Sequence, residues 1–409
     1  MPKASVHLLW PGCRLRVCCN KVLLWVLAWC CALLFVSSAA AADVTAKAPA
    51  AADIDQPPLW RQVAPTATPN SFSTIQAALD SLPTTGPDAK RWAVIRIAPG
   101  LYREKLFLTR DKVVLAGSGL SQTVIQYPIL RQHFLAARHT FSKTALPSGA
   151  ELEKDWGAAV VNIAASDIQL LDLAVHNSYA LENPQDPARF EHQFAVRGFA
   201  KATRIITDQS QFASNGADTM SLWNKQNGMY LHRQSFFSGR VDMLCPRGSA
   251  LVLDSDFVNH NQAATLWHDG ELSPEQQLVV LNSRFHGVSG FQLGRRHYDG
   301  QFVLRGNQFS RALANQPIFR RTYPEEPQRD QPNRYGDRNF YLQNQIQNQS
   351  PAYGWLTDNF SAQQVTTYAD AQSASMTLFG ERWQPLAELA RSRQWLAHSL
   401  KNAGSGINR

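Results

Sequence analysis

The feature that most constrains this 409-residue chain is a repeat. Short β-type runs recur, each closing on an aromatic residue and then a small or polar turn: 204–212, 229–236, 251–257, 278–285 and 302–309. Their terminal residues Phe212, Phe236, Phe257, Phe285 and Phe309 lie 24, 21, 28 and 24 residues apart. An earlier run, 168–177, has the same pattern with a longer insertion after it. Every unit alternates over a few residues and is broken by Ser, Asn, Gly or His. None carries a helix long enough for a βαβ crossover. A single unit cannot bury its apolar face, whereas stacked units bury a continuous column. This period predicts an all-β fold, a right-handed parallel β-helix. An antiparallel sandwich would place turn signals about every 8–12 residues instead.

A solenoid needs covered ends. Ser73-Thr-Ile-Gln76 is a capping-box pattern and predicts a short helix from Thr74 to Leu82, with Ile75, Ala78, Leu79 and Leu82 on one face over the first coil. Trp383, Leu386, Leu389, Ala390, Trp395 and Leu396 form an apolar stripe through 381–401, which predicts a helix packing back on the stack. The stretch 313–375 is rich in Gln, Asn, Pro and Arg and reads as long excursions from the last coils.

Lys3, Arg14, Arg16 and Lys21, the apolar run 22–36 and the small residues 38–42 follow one another in the order of a secretory signal peptide cut after Ala42. The apolar run is short for a membrane span, so no stable span is expected after cleavage. The domain reading is therefore a signal peptide over 1–42, a flexible Ala/Pro/Thr-rich leader over 43–70, the β-helix over 71–375 and a helical tail over 376–409. Export to the periplasm or beyond follows. Four basic residues leave with the signal, reducing the formal charge from +8 to +4. That mild surplus suits a polyanionic substrate and argues against nucleic acid. Five of the six cysteines leave too, and Cys245 alone cannot form an internal disulfide. Stability must come from the core of a chain of roughly 365 residues. No Cys/His cluster has metal-ligand spacing, and Gly117-Ser-Gly119 sits between two strands, so no cofactor is expected.

Several short motifs occur in a fixed order. Phe72-Ser-Thr-Ile-Gln-Ala-Ala-Leu79, Ile97-Ala-Pro-Gly-Leu-Tyr-Arg-Glu104 and Leu115-Ala-Gly-Ser-Gly119 are followed by Gln193-Phe-Ala-Val196, Gly216-Ala-Asp-Thr219, Ser238-Gly-Arg-Val-Asp242 and Gln292-Leu-Gly-Arg295. Over 72–311 this series resembles the pectin methylesterase (pectinesterase) family, in a divergent, envelope-associated bacterial branch, some members of which are described as acyl thioesterases. The resemblance implies hydrolysis of methyl esters on a uronic-acid polysaccharide, with no cofactor. It further implies Asp242 as nucleophile, Asp218 as general acid/base, Arg295 orienting the nucleophile and Gln193 donating to the oxyanion.

The repeat bears on those roles independently. Asp218 lies six residues after Phe212, and Asp242 six after Phe236, so they are expected at equivalent positions on consecutive coils, about 4.8 Å apart. Gln193, 25 residues before Asp218, is expected on the adjoining coil. Two carboxylates that close push one pKa up while the other stays ionised, and a guanidinium holds the ionised one aligned. Aspartates in such turns also serve as Asx-turn residues bonded to nearby backbone N–H groups.

The chain departs from the pattern in two places. Ala217 stands where the family usually has a glutamine donor, with Arg240 and Arg247 as possible substitutes, and Arg296-His297 replaces the Pro-Trp after the arginine. Trp223, Trp267, Tyr298 and His297 offer alternative stacking surfaces, although ordinary packing or loop surface is the commoner role for each. Cys245 reads as a buried structural thiol. Three functions remain open at this level: a methylesterase on a pectin-type polymer, an acyl or thioester hydrolase using the same dyad, and a non-catalytic polysaccharide-binding β-helix. A monomer is expected, since helical caps cover the ends.

Overall fold

The computed structural model describes residues 56–137, 154–269, 273–330, 335, 338–349 and 353–405. The segment read as a signal peptide lies outside them. The rest is a right-handed parallel β-helix of three all-parallel sheets with ten, nine and eight strands among the described residues. The first two strands, Leu59–Val63 and Ala93–Ile97, share the ten-stranded sheet; from there on chain neighbours lie in different sheets, so each ladder joins one coil to the next.

Strand composition follows from position. In the ten-stranded sheet both faces are covered, and Leu278-Val-Val-Leu281 shows how. Leu278 and Val280 point into the tube; Val279 and Leu281 point out beneath the C-terminal helices. Such strands read as unbroken apolar runs instead of alternating ones. The nine-stranded sheet carries the aromatic column foreseen in the repeat, with one correction. The stack runs Phe212, Phe237, Phe257, Phe285 and Phe309, with centroids 5.7, 5.0, 4.6 and 5.0 Å apart. Phe237 faces inward and Phe236 does not, because the ladder pairs Phe212 with Phe237.

The ends match their expected helices with shifts. The first helix spans Ile75–Asp80, and its cap is Thr74, whose hydroxyl accepts from Ala77 N, in place of Ser73. The segment read as a flexible leader already contains a strand, Leu59–Val63, paired in parallel with Ala93–Ile97. Its linker-like composition is confined to the flanks, while Val63 is buried in the core. The stretch 313–375 holds further coil as well as excursions: Arg338–Leu342 extends the ten-stranded sheet, with Tyr341 buried. Helices Ala371–Phe379 and Pro385–Ser405 lie on the outer face of that sheet, with Leu378, Phe379, Trp383 and Leu389 over Val114, Ile206, Leu231 and Val279. The first of these helices crosses the expected tail boundary at 376. Arg393 ties the last helix down by donating to both Asp172 and Asp208.

No helix among the described residues is long and apolar enough to cross a membrane. Nor do the described residues hold a group of three or more His, Cys, Asp or Glu side chains placed for a metal ion.

The aromatic column makes a test of the core. Phe257 is fully buried between two rings, so Phe257→Ala is expected to cost about 3–5 kcal/mol. Equilibrium denaturation reads this directly, and a loss below about 1 kcal/mol would mean that the column does not support the stack.

Candidate active site

Five rungs of the eight-stranded sheet build one site: Phe194–Gly198, Met220–Leu222, Leu244–Pro246, Ala264–Trp267 and Gln292–Arg296. Asp218 and Asp242 each sit two residues before their strand. Ala217 pairs with Val241 and Met220 with Leu244, so the aspartates are level on consecutive rungs. The expected juxtaposition holds although the phenylalanine count behind it slips by one, because the turn after Phe237 is one residue shorter than that after Phe212. Both aspartates have left-handed backbone, φ 60° and 49°, uncommon for a residue with a Cβ. Asp218 N donates to Val241 O at 2.9 Å and Asp242 N to Ala264 O at 2.7 Å, which holds both corners.

Arg295, two rungs beyond Asp242, forks onto its carboxylate: Nε is 3.0 Å from Oδ1 and Nη2 is 2.6 Å from Oδ2. Trp267 lies under this guanidinium, 4.7 Å from the ring centroid. Burial pushes Asp242 up to about 7, opposed by Arg295 and reinforced by the neighbouring Asp218 charge. Two carboxyls on consecutive rungs repel when both are ionised, so the site favours one proton held between them. The fork of Arg295 favours the arrangement with the charge on Asp242.

A cavity of about 660 Å³ opens over the pair. Its wall includes Trp223, Trp267, His297 and Tyr298, which sequence left between packing and surface. Cations and indoles alternate along it. Arg197 and Arg247 lie 4.5 and 4.6 Å from the Trp223 ring centroid, Arg247 also lies 5.5 Å from that of Trp267, and Arg295 follows. Such contacts are worth about 0.5–2 kcal/mol each and hold the guanidinium groups in place. Arg247 is buried, and its Nη2 lies 3.5 Å from Asp269 Oδ2, a carboxylate that also accepts from the backbone N–H groups of His297 and Tyr298. Arg240, the other candidate substitute donor, instead packs over Phe190 at 4.1 Å and is absent from the cavity wall.

Gln193 is not brought to the cavity. From His192 to Val196 the chain takes four steps while its partner strand takes three, from Ala217 to Met220, and Ala195 N and Val196 N both bond Thr219 O. This bulge directs the Gln193 amide away: it is fully buried, donates to Arg189 O and accepts from Ala180 N at 3.3 Å. Gly216 makes room for it, since a Cβ there would fall 2.7 Å from Gln193 Nε2. His192 lines the cavity in its stead. Sequence reasoning missed Arg197, Ser221, Lys225, Asp269, Arg321 and Tyr323. The signal for Arg197 and Ser221 was available as register, since they and Cys245 fall level at steps of 24 residues.

No family model matches the chain. Over 186 residues it is 27% identical to probable pectinesterase 29 of Arabidopsis thaliana, which covers 44% of this chain and 46% of that one. Over 185 residues it is 28% identical to probable pectinesterase 55 of the same plant, 44% and 47% of the two chains. Among solved structures, pectin methylesterase PemA from Erwinia chrysanthemi superposes with a TM-score of 0.58 at 16% identity, over 80% of this chain and 98% of that one. The carrot enzyme gives 0.57 at 15% identity, over 80% and 95%. The chain is thus similar to pectinesterases over part of its sequence and shares the fold of pectin methylesterases. It spans about half the length of the curated relatives it matches, and at such identity the structural likeness speaks for the fold. Relative to the pectin methylesterase motif pattern, this chain keeps the aspartates and the arginine, has alanine at 217, and turns the amide at 193 inward.

The paired carboxyls have a pH signature. Because the folded state keeps a proton on the pair up to about 7, the stability so gained is full below the unfolded carboxylate range and is lost as pH rises through 7. Asp218→Asn removes the repelling charge, so it is expected to raise Tm at pH 8 by roughly 2–4 °C per kcal/mol relieved and to leave Tm unchanged at pH 5. Identical melting curves at pH 8 would show that the two groups do not interact.

Proposed function

We propose that this chain hydrolyses methyl esters of a pectin-type polyuronate after export, through a covalent intermediate on Asp242. The observation that carries the reading is the level pair Asp218 and Asp242, with Arg295 forked onto Asp242, at the floor of a cation-rich cavity. Arg247, Arg295, Lys225 and Arg321 face the same space as Asp218, Asp242 and Asp269. With one proton on the pair, positive charge is in excess, which suits a substrate bearing carboxylates. The alternating indoles hold these cations in place along the wall.

In the first step the Asp242 carboxylate attacks the ester carbonyl carbon, and the proton on Asp218 passes to the departing methoxy oxygen. Methanol leaves and an acyl-aspartyl anhydride remains. In the second step Asp218, now a carboxylate, takes a proton from water as the water oxygen adds to the substrate carbon. The Asp242 carboxylate departs, the uronic acid is released, and it ionises in solvent. Arg295 keeps Asp242 charged and aimed. The charge developing on the carbonyl oxygen meets no amide from position 217 or from Gln193, and we assign that role to Arg247.

The same missing amides favour a second reading, a polysaccharide-binding β-helix that retains the carboxylates without turnover. An acyl or thioester hydrolase using the same dyad is the third, and coenzyme A thioesters are scarce where an exported protein works.

Methanol release from highly methylated pectin separates them. The protein is expected to release methanol, Asp242→Asn to abolish release, and Ala217→Gln to raise kcat by up to about 100-fold, since one oxyanion donor is worth about 10²–10³. No methanol from either the wild-type protein or Ala217→Gln, with retained affinity for the polymer, would leave the binding reading. Hydrolysis of short acyl thioesters without methanol release would select the third.

A further inference from the structure

Ser221 is fully buried on the strand Met220–Leu222, three residues past Asp218. Its hydroxyl oxygen has three polar neighbours. Arg197 Nη1 donates to it at 2.5 Å and Trp223 Nε1 at 2.9 Å. Neither group can accept, so together they fill both lone pairs of the serine oxygen. The only hydrogen on that oxygen is left for the third neighbour, Asp218 Oδ2, at 3.3 Å. The direction of this hydrogen bond is therefore settled by elimination and does not depend on a placed hydrogen.

Neither donor can swing away. Arg197 Nη2 donates to Asp155 Oδ2 at 2.9 Å, and Asp155 is itself held by Arg131 at 2.7 Å. The Arg197 guanidinium is stacked against Phe194 and Trp223 at 4.8 and 4.5 Å. On the other side of Asp218, the Cys245 thiol lies 3.9 Å from the same Oδ2. Burial pushes that thiol up, so it stays protonated and is a second, weaker donor to Oδ2. Among the described residues, both side-chain donors to Asp218 thus fall on this one oxygen.

We propose that Ser221 is a positioning residue that selects which oxygen of Asp218 carries the transferable proton. Oδ2, engaged by Ser221 and Cys245, is kept as the acceptor, and the proton is confined to Oδ1. A carboxylic acid free to place its proton on either oxygen would spend part of its population with the proton turned into the strand. The inference rests on the methylesterase reading for its rate effect, but not for the hydrogen bond itself. The charged and titratable groups around Asp218 are Asp242, Cys245 and Arg247 on the rung after it, Arg197 and His192 on the rung before, and Arg295 beyond Asp242.

The test compares Ser221→Ala and Ser221→Thr with the wild-type protein, each first shown to be folded by its melting curve. Ser221→Ala is expected to lower kcat on methylated pectin by about 10- to 100-fold with KM within about twofold, a part of what general acid catalysis supplies. Its alkaline limb should move to higher pH, since losing a donor to the carboxylate favours the protonated pair. Ser221→Thr keeps the O–H and should recover most of kcat. An independent readout is the infrared C=O stretch of the protonated pair at pH 6, identified by its change in Asp218→Asn, which should shift in Ser221→Ala. An unshifted band, or a Ser221→Ala variant with kcat within threefold and an unmoved pH profile, would overturn the proposal. If the wild-type protein releases no methanol, the methylesterase reading fails while the band still decides the role of Ser221. If Ser221→Thr does not fold, the band and the pH limb of Ser221→Ala decide it.

Discussion

Register between coils is the constraint on which everything else in this molecule rests. Where each strand of the ten-stranded sheet turns into the nine-stranded one, a single residue adopts left-handed backbone: Asp172, Gln209, Gln234, Asp254, Asn282, Gly306 and Gln343 in successive coils. Immediately inside the turn a buried serine or asparagine bonds the next rung. Ser235 N donates to Ser255 Oγ at 3.1 Å, Ser255 N to Ser283 Oγ at 3.1 Å, Ser283 N to Asn307 Oδ1 at 2.8 Å and Asn307 N to Asn344 Oδ1 at 3.0 Å. This polar ladder and the phenylalanine column beside it resist a slip of one residue, which would exchange inward and outward faces along a whole strand.

Fixed register turns sequence spacing into chemistry. Two aspartates a coil apart become a pair sharing one proton, and arginines two coils apart become a stack separated by indoles. Both arrangements cost stability locally, through like charge, left-handed aspartates and buried guanidinium groups. Strain of this kind, of order 1–3 kcal/mol at each backbone position, persists only where surroundings over-determine it. Here the over-determination comes from ladder hydrogen bonds on both sides of each aspartate.

The departures of this chain from the pectin methylesterase motif pattern follow from what register does and does not preserve. Asp218, Asp242 and Arg295 sit on regular rungs and remain together. Position 193 lies against a bulge, and one extra residue there turns a donor toward Arg189 and Ala180. The buried donors around Asp218 are Ser221 and Cys245, backed by Arg197 and Arg247, so guanidinium groups set the electrostatics of this floor.

The recurrence of phenylalanine, the polar turns and the apolar tail stripe determined the solenoid and its C-terminal helix, because a column needs one core residue per coil whatever the loops do. The same period placed Asp218 beside Asp242 and left Arg295 to its motif. What sequence could not decide was side-chain direction. Phe236 and Phe237 are adjacent aromatics, and only ladder pairing selects the inward one. Gln193 carries a suitable amide in a suitable motif, yet a bulge that depends on the partner strand turns it inward. Trp223, Trp267 and Arg247 are distant in sequence and ordinary in composition, and they form a ladder because stacking brings successive coils within van der Waals reach. Periodicity is a property of the chain, whereas facing is a property of pairing, and pairing exists only once the coils have stacked.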